Sequence, residues 1–282
     1  MEILSVKDLN ISIDGITKIA NGCFTVNQGD VVLLTGSNGC GKSTIIKVLV
    51  GGTFDYSDLS FGNSSALFLE KHDILSSDEE NEYFRRNICY VSQEDEFESD
   101  DVLDCYMNSI EGTVKDDPLK YVFDFIVKYN IPKCFGIKPN GSLNLQTRRI
   151  TKKLGLSSTS INDEERMAIQ YLSMRISKMS GGQKKLANIF SNLIRYEYCD
   201  LIILDEPLNN LDYNNVRMFS NILTSIYKDK PSLAILMVTH CRSIPIINKV
   251  LEIDADNHTI SESAAYHCSS CFGKISADGL YV

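Results

Sequence analysis

Gly36-Ser37-Asn38-Gly39-Cys40-Gly41-Lys42-Ser43-Thr44 is the stretch that decides the fold. It has the spacing G-x-x-x-x-G-K-[ST], it follows the aliphatic run Val31–Thr35, and it opens the helical pattern Ser43–Leu49. Strand, glycine-rich loop and helix in that order imply an α/β sheet with its ligand site at the carboxyl end of a strand. Successive backbone N–H groups of such a loop point at phosphate oxygens, and the following helix adds the positive end of its dipole. Lys42 is placed to reach the β/γ-phosphates and Ser43 to ligate Mg2+. A tight turn that binds nothing is the alternative, and the flanking strand and helix weigh against it.

Outward from this loop, Glu2–Val6 and Cys23–Val26 are further strand candidates. Residues 52–87 are polar and irregular, with acids at Asp78, Glu79, Glu80 and Glu82, and are expected to be a surface excursion. Ile88–Val91 is a buried-strand candidate. From about 94 to 178 the apolar residues take helical spacing, as in Leu119, Val122, Phe123, Phe125, Ile126 and Tyr129. Pro132, Pro139 and Gly141 punctuate that stretch. The α/β pattern returns with a helix at about 181–196, a strand Leu201–Leu204, a helix at about 213–227, a strand Leu233–Val238 and a strand pair within 249–261.

Two more segments carry chemistry. Leu201-Ile-Ile-Leu204-Asp205-Glu206 is an apolar strand ending in two acids, which are costly to desolvate unless they hold a cation or a water. Ser180-Gly181-Gly182-Gln183 opens an apolar-periodic helix, where two glycines allow close backbone approach to a phosphate. Taken alone, it reads more simply as a serine N-cap with a flexible turn.

Together these residues resemble the ABC-type ATPases: Gly36–Thr44 is similar to their Walker A loop, Ser180–Gln183 to their signature, and Leu201–Glu206 to Walker B with its catalytic glutamate. In the family's order, Gln93 matches the Q-loop glutamine, Leu211-Asp212 the D-loop and His240 the switch histidine. The resemblance implies a P-loop NTPase core with a mixed sheet, antiparallel N-terminal strands plus a parallel core, and an inserted, enlarged α-helical subdomain. The nucleotide-binding core is then 1–93 and 179–258, the helical subdomain 94–178 and the C-terminal tail 259–282.

It further implies Mg2+-dependent ATP hydrolysis in a two-fold dimer, because the signature of one subunit completes the site of the other. ATP would be bound by Gly36, Ser37, Asn38, Gly39, Cys40, Gly41, Lys42, Ser43, Thr44 and Gln93, with Ser180, Gly182 and Gln183 from the second copy. Ser43, Gln93 and Asp205 would hold Mg2+, while Glu206, His240 and Lys42 would carry the catalysis. All of these types are present in one chain, so a homodimer is the simplest assembly. A subunit energising a transporter whose spans lie on another chain is the leading expectation. A soluble ABC ATPase acting on a protein or cofactor assembly is the alternative.

The chain departs from the family in places. The region where members place an adenine-stacking aromatic reads Ile11-Ser-Ile13-Asp-Gly-Ile16, leaving Ile13 or Ile16 as apolar substitutes. Lys184-Lys185 stands where one basic residue is usual, and the stretches 52–87 and 93–180 look expanded.

The composition agrees with this reading. The chain has 282 residues, 28 Lys+Arg against 37 Asp+Glu, a formal charge of −9 and 43% hydrophobic content. That excludes a disordered or fibrous chain, and the acidic balance argues against a nucleic-acid binder. Leu233–Val238 is far short of the roughly 20 apolar residues of a span. Met1-Glu2-Ile3-Leu4 lacks the basic start of a signal peptide, so a cytoplasmic protein is expected, peripheral to a membrane through a partner. The 9 cysteines are scattered and expected to be mostly reduced thiols. His267, Cys268 and Cys271 make at most half a zinc site or a redox pair. Thr147-Arg148-Arg149-Ile-Thr-Lys152-Lys153 is the compact basic cluster, best read as a solvated helix face, with an acidic partner, a membrane surface or RNA as alternatives. The acid-rich segment Glu94–Asp104 also reads as a solvated face, in the region that receives the membrane subunit in transporters of the family.

Overall fold

The computed structural model describes residues 1–13, 15–50, 59–61, 66–69, 72–73, 87–94, 97–139, 145–157, 161–239 and 244–263. His240 and the His267/Cys268/Cys271 group lie outside these residues. The chain forms two compact units: Met1–Gln93 with Tyr198–Asn209 and Ile226–Val282, and Glu94–Glu197 with Asn210–Ser225.

Among the described residues the first unit contains two sheets. Strands β1 (Glu2–Ile13) and β2 (Ile16–Asn27) are antiparallel 12-residue partners, joined at a turn where Gly15 takes φ +74°. Both run well beyond the short strands expected. The stretch expected to be an irregular excursion instead supplies β4 (Leu59–Phe61), β5 (Ala66–Leu69) and β6 (His72–Asp73). β4 and β5 pair antiparallel with β1, Leu4 facing Leu69 and Ile11 facing Phe61. A long strand with an open edge is satisfied by whatever chain can reach it, so these pairings follow from β1 rather than from local propensity.

The second sheet has the order β11-β10-β3-β9-β8-β7, made by β3 (Val31–Gly36), β7 (Ile88–Val91), β8 (Leu201–Asp205), β9 (Ala234–Val238), β10 (Lys249–Asp254) and β11 (Thr259–Ser263). All neighbours from β10 to β7 are parallel, and β11 pairs antiparallel with β10. β8 and β9 are buried at every position, as parallel strands covered on both faces must be. Helix α1 (Lys42–Val50) follows β3, and Ile45, Ile46 and Leu49 join Leu34, Leu236 and Ile203 in one core.

The second unit is helical among the described residues: α2 (Val102–Ser109), α3 (Pro118–Lys128), α4 (Leu145–Lys153), α5 (Asp163–Leu172), α6 (Gly181–Leu193) and the first part of α7 (Tyr213–Asp229). It extends beyond residue 178, taking in the helix opened by Ser180, because that helix buries Leu186, Ile189 and Phe190. α3 begins with Asp117 capping Lys120 N and Pro118 in the first turn; α5 begins with a capping box between Asn162 and Glu165. Its core is aromatic. Phe135 and Tyr171 rings lie 4.5 Å apart, and the Tyr106 and Tyr171 hydroxyls meet at 3.2 Å with both side chains fully buried. Tyr171→Phe is expected to cost about 1–3 kcal/mol in chemical denaturation, since it strands the Tyr106 hydroxyl. Replacing both tyrosines by Phe should cost less than the sum of the single changes; strict additivity would show that the pair does not interact.

Candidate functional site

Parallel strands place their carboxyl ends on one edge of the sheet, and the motif residues gather there. Val238 pairs with Leu34 on one side and with Asp205 on the other, so β3 and β8 end at the same level across β9. With strands about 4.8 Å apart, the loop after β3 and the acids after β8 are separated by about 10 Å. β7 ends level with Leu204, and Gln93 follows it, exposed to solvent. β9 is followed by buried Thr239.

The loop itself is built by glycines with positive φ at Gly36 (+152°), Gly39 (+79°) and Gly41 (+109°). Ser37, Asn38 and Gly39 are exposed, while Cys40 is turned in and only 3% exposed. Lys42 is 7% exposed; its Nζ donates to the carbonyls of Gly36 and Ser37, both at 2.9 Å. The ammonium is thus held over the loop by neutral acceptors that an anionic oxygen can replace. Ser43 and Thr44 are partly buried in the first turn of α1, and Gly41 accepts from Ile45 N at 2.9 Å.

Asp205 and Glu206 are 3% and 7% exposed. Glu206 takes φ +48°, a left-handed conformation uncommon for a side-chain-bearing residue, and its N–H donates to Val238 O at 2.9 Å. A strained residue kept at the end of a central strand fits a side chain aimed for chemistry. The donor set of carboxylate, hydroxyl and amide oxygens in Asp205, Ser43 and Gln93 is one that suits Mg2+.

The signature segment belongs to the second unit. Ser180 caps α6: its Oγ accepts from Gln183 N at 3.4 Å, and Gln183 Oε1 accepts from Ser180 N at 3.1 Å. Gln183 Nε2 also reaches Phe135 O at 3.5 Å. Gly182 lies against the start of α7, where a Cβ would come within 3.1 Å of Asn215 Nδ2 and 3.6 Å of Asn210 O, whereas Gly181 faces open space. Asp212 caps α7 by accepting from Asn215 N at 2.8 Å. The approach to Ser180 is pinned by Asp100, which accepts from Ser177 N (2.7 Å) and Ser177 Oγ (3.0 Å). Those bonds hold the Asp100 carboxyl below its ordinary range, so the anchor is intact at neutral pH and weakens as pH falls through that lowered value.

Two neighbours of these motifs carry no local sequence signal. Asn215 supports the signature turn from a helix more than thirty residues away, which no local pattern signals. Lys18 of β2 stands beside the phosphate loop, its Nζ 3.5 Å from Gly39 O and its Cβ 3.5 Å from where a Cβ on Gly41 would lie. Of the proposed substitutes for an adenine-stacking ring, Ile13 is half-buried and Ile16 is 61% exposed. None of the six cysteines among the described residues is in a disulfide. No helix among them is long and apolar enough to cross a membrane.

A phosphate loop at the carboxyl edge of a parallel sheet, with a buried acid pair two strands away, defines a P-loop nucleotide hydrolase. The family model described as ABC transporter matches residues 19–209, and the chain belongs to that family and is an ATPase of the ATP-binding cassette type. It is 24% identical over 240 residues to a xylose/arabinose import ATP-binding protein of Sulfolobus acidocaldarius, covering 85% of this chain and 78% of that protein. It is 26% identical over 249 residues to a zinc uptake system ATP-binding protein of Listeria innocua, covering 85% and 77%. Among solved structures, cbiO1 from Clostridium perfringens, part of an ABC transporter complex, superposes with a TM-score of 0.66 at 20% identity over 94% of this chain and 89% of that one. The ADP conformation of an ATP-binding cassette of an ABC transporter gives 0.61 at 17% identity, over 94% and 91%. These superpositions establish the fold.

Proposed function

We propose that the chain is the ATP-binding subunit of a membrane transporter and works as a homodimer closing over two ATP molecules. The observation that carries the reading is the convergence of Gly36–Thr44, Asp205-Glu206 and Gln93 on one edge of the parallel sheet. Its relatives' printed roles in import and uptake support the transport part.

In this reading backbone N–H groups of the loop 37–41 cradle the phosphates, and Lys42 exchanges its two carbonyl partners for phosphate oxygens. Ser180, Gly182 and Gln183 of the second copy present a helix N-terminus to the γ-phosphate. Ser43, Gln93 and Asp205 would hold Mg2+, which supplies neutralisation of the charge that develops on the phosphates. Glu206 orients and polarises the attacking water, and His240 is assigned to stabilising the charge of the departing phosphate. Losing the γ-phosphate removes a bridge between the copies, and the pair loosens.

Glu206→Gln keeps the shape of the side chain and removes its basicity. Hydrolysis is expected to fall by about 10²–10⁴-fold, while the variant accumulates as an ATP-dependent dimer in light scattering. Binding of nucleotide at the parent affinity without dimerisation would remove the sandwich from the proposal. Purification of the same ATP-trapped variant in mild detergent tests the transport part. A multi-span protein recovered in stoichiometric amount supports it, and recovery with soluble proteins alone favours an ATPase acting on a protein assembly.

A further inference from the structure

Helix α4 in the second unit has two unlike faces. Thr147, Ile150 and Thr151 are 1%, 4% and 5% exposed and seat the helix, and Gln146 Nε2 ties it to Asp101 Oδ1 at 3.3 Å. The opposite face carries Leu145, Arg148, Arg149, Lys152 and Lys153, all exposed and following i, i+3, i+4, i+7, i+8 on one stripe. Leu145 is 77% exposed. None of the four cations makes an ion pair or side-chain hydrogen bond with another described residue, although acids outnumber bases in the chain, 37 to 28. Four cations without a side-chain partner on one short, anchored helix face raise a local positive field that attracts anions.

We propose that this face of α4 docks on anionic phospholipid headgroups. Two guanidinium groups match phosphate oxygens in a bidentate manner, two ammonium groups add mobile point charge, and the long stems of all four can lie along the interface with their charges outward. An apolar side chain exposed at the end of the same stripe is what an interfacial helix offers to the acyl boundary. A single-stranded nucleic acid would call for aromatic rings to stack its bases, and the face has none. The surface needs no nucleotide and stands independently of the site at the sheet edge.

The test is co-sedimentation of the full chain, without nucleotide, with phosphatidylcholine vesicles and with vesicles in which phosphatidylglycerol replaces part of that lipid. Binding is expected with the mixed vesicles and not with phosphatidylcholine alone, and it should be released by high salt. Each basic residue at a membrane surface contributes about fivefold in partitioning. Arg148→Gln, Arg149→Gln, Lys152→Gln and Lys153→Gln together should therefore lower binding on the order of several hundred-fold, with ATPase activity retained. Replacing exposed Lys7, Lys47, Lys115 and Lys228 by Gln removes the same charge elsewhere and should leave most binding intact. Equal loss in both quadruple variants, no binding by the parent chain, or binding to soluble polyglutamate but not to the mixed vesicles would each overturn the proposal.

Discussion

Lys42→Met is expected to lower kcat/KM for ATP by about 10²–10³-fold while leaving the folded state within about 1–2 kcal/mol of the parent. The two effects separate because the ammonium does different things in the two states. Without nucleotide it donates to Gly36 O and Ser37 O at 2.9 Å from a position only 7% exposed. Those bonds offset a desolvation penalty of similar size, so removing charge and penalty together changes stability little. Methionine keeps an aliphatic stem at the first position of α1. With nucleotide bound, the same charge would face phosphate oxygens, an interaction with no neutral substitute. ATP titration calorimetry and steady-state hydrolysis, read beside a denaturant curve, check both halves. A variant that unfolds easily would mean the lysine is a structural prop. A variant that still hydrolyses ATP would remove Lys42 from the phosphate site.

The readability of the chain varied with the distance between cause and effect. β3, its loop and α1 were legible because each signal lies within a few residues of its consequence, from the aliphatic run to the glycines to Lys42. β7 has the limits its apolar run implies, since a short run with three of its four residues buried needs no partner to be recognised. The length of β1 and β2 was missed although Asp14-Gly15 between alternating apolar residues is a hairpin signal. β4, β5 and β6 lie in a stretch with no clear strand pattern; β4 and β5 are strands because the edge of β1 is there to be paired, and β6 pairs in turn with β5. Tertiary context overrode weak local preference. At the site the same division holds. Asp205 and Glu206 could be placed from the strand that precedes them, but their common level with Leu34 depends on β9, over thirty residues later. The left-handed φ of Glu206 and the closeness of Asn215 to Gly182 are likewise products of folding, and no spacing announces them.

Gly36→Ala is expected to be the most damaging single-atom addition in the phosphate loop, costing about 3 kcal/mol or more. Gly36 has φ +152°, and a Cβ there would lie 2.7 Å from Cys40 Sγ and 2.8 Å from Ile253 O. The first contact is with a side chain buried in the loop, the second with the backbone of β10, which pairs Ile253 with Gly36 itself. A side chain can turn aside, whereas a paired strand cannot move without breaking its ladder. Cys40→Ala should therefore recover part of the stability lost by Gly36→Ala and leave the larger part in place. Because Gly36 O is one of the two carbonyls that hold Lys42, any shift that relieves the clash also displaces the lysine. Nucleotide affinity should fall with stability, in contrast to Lys42→Met. Gly39→Ala is the matched control: its φ of +79° is strained, yet no atom lies within 4 Å of the added Cβ, so its cost is conformational and about 1 kcal/mol. Thermal unfolding of the three variants, with and without ATP, orders them. If Gly36→Ala were no worse than Gly39→Ala, the close approach of the loop to β10 would not be what holds the phosphate site in shape.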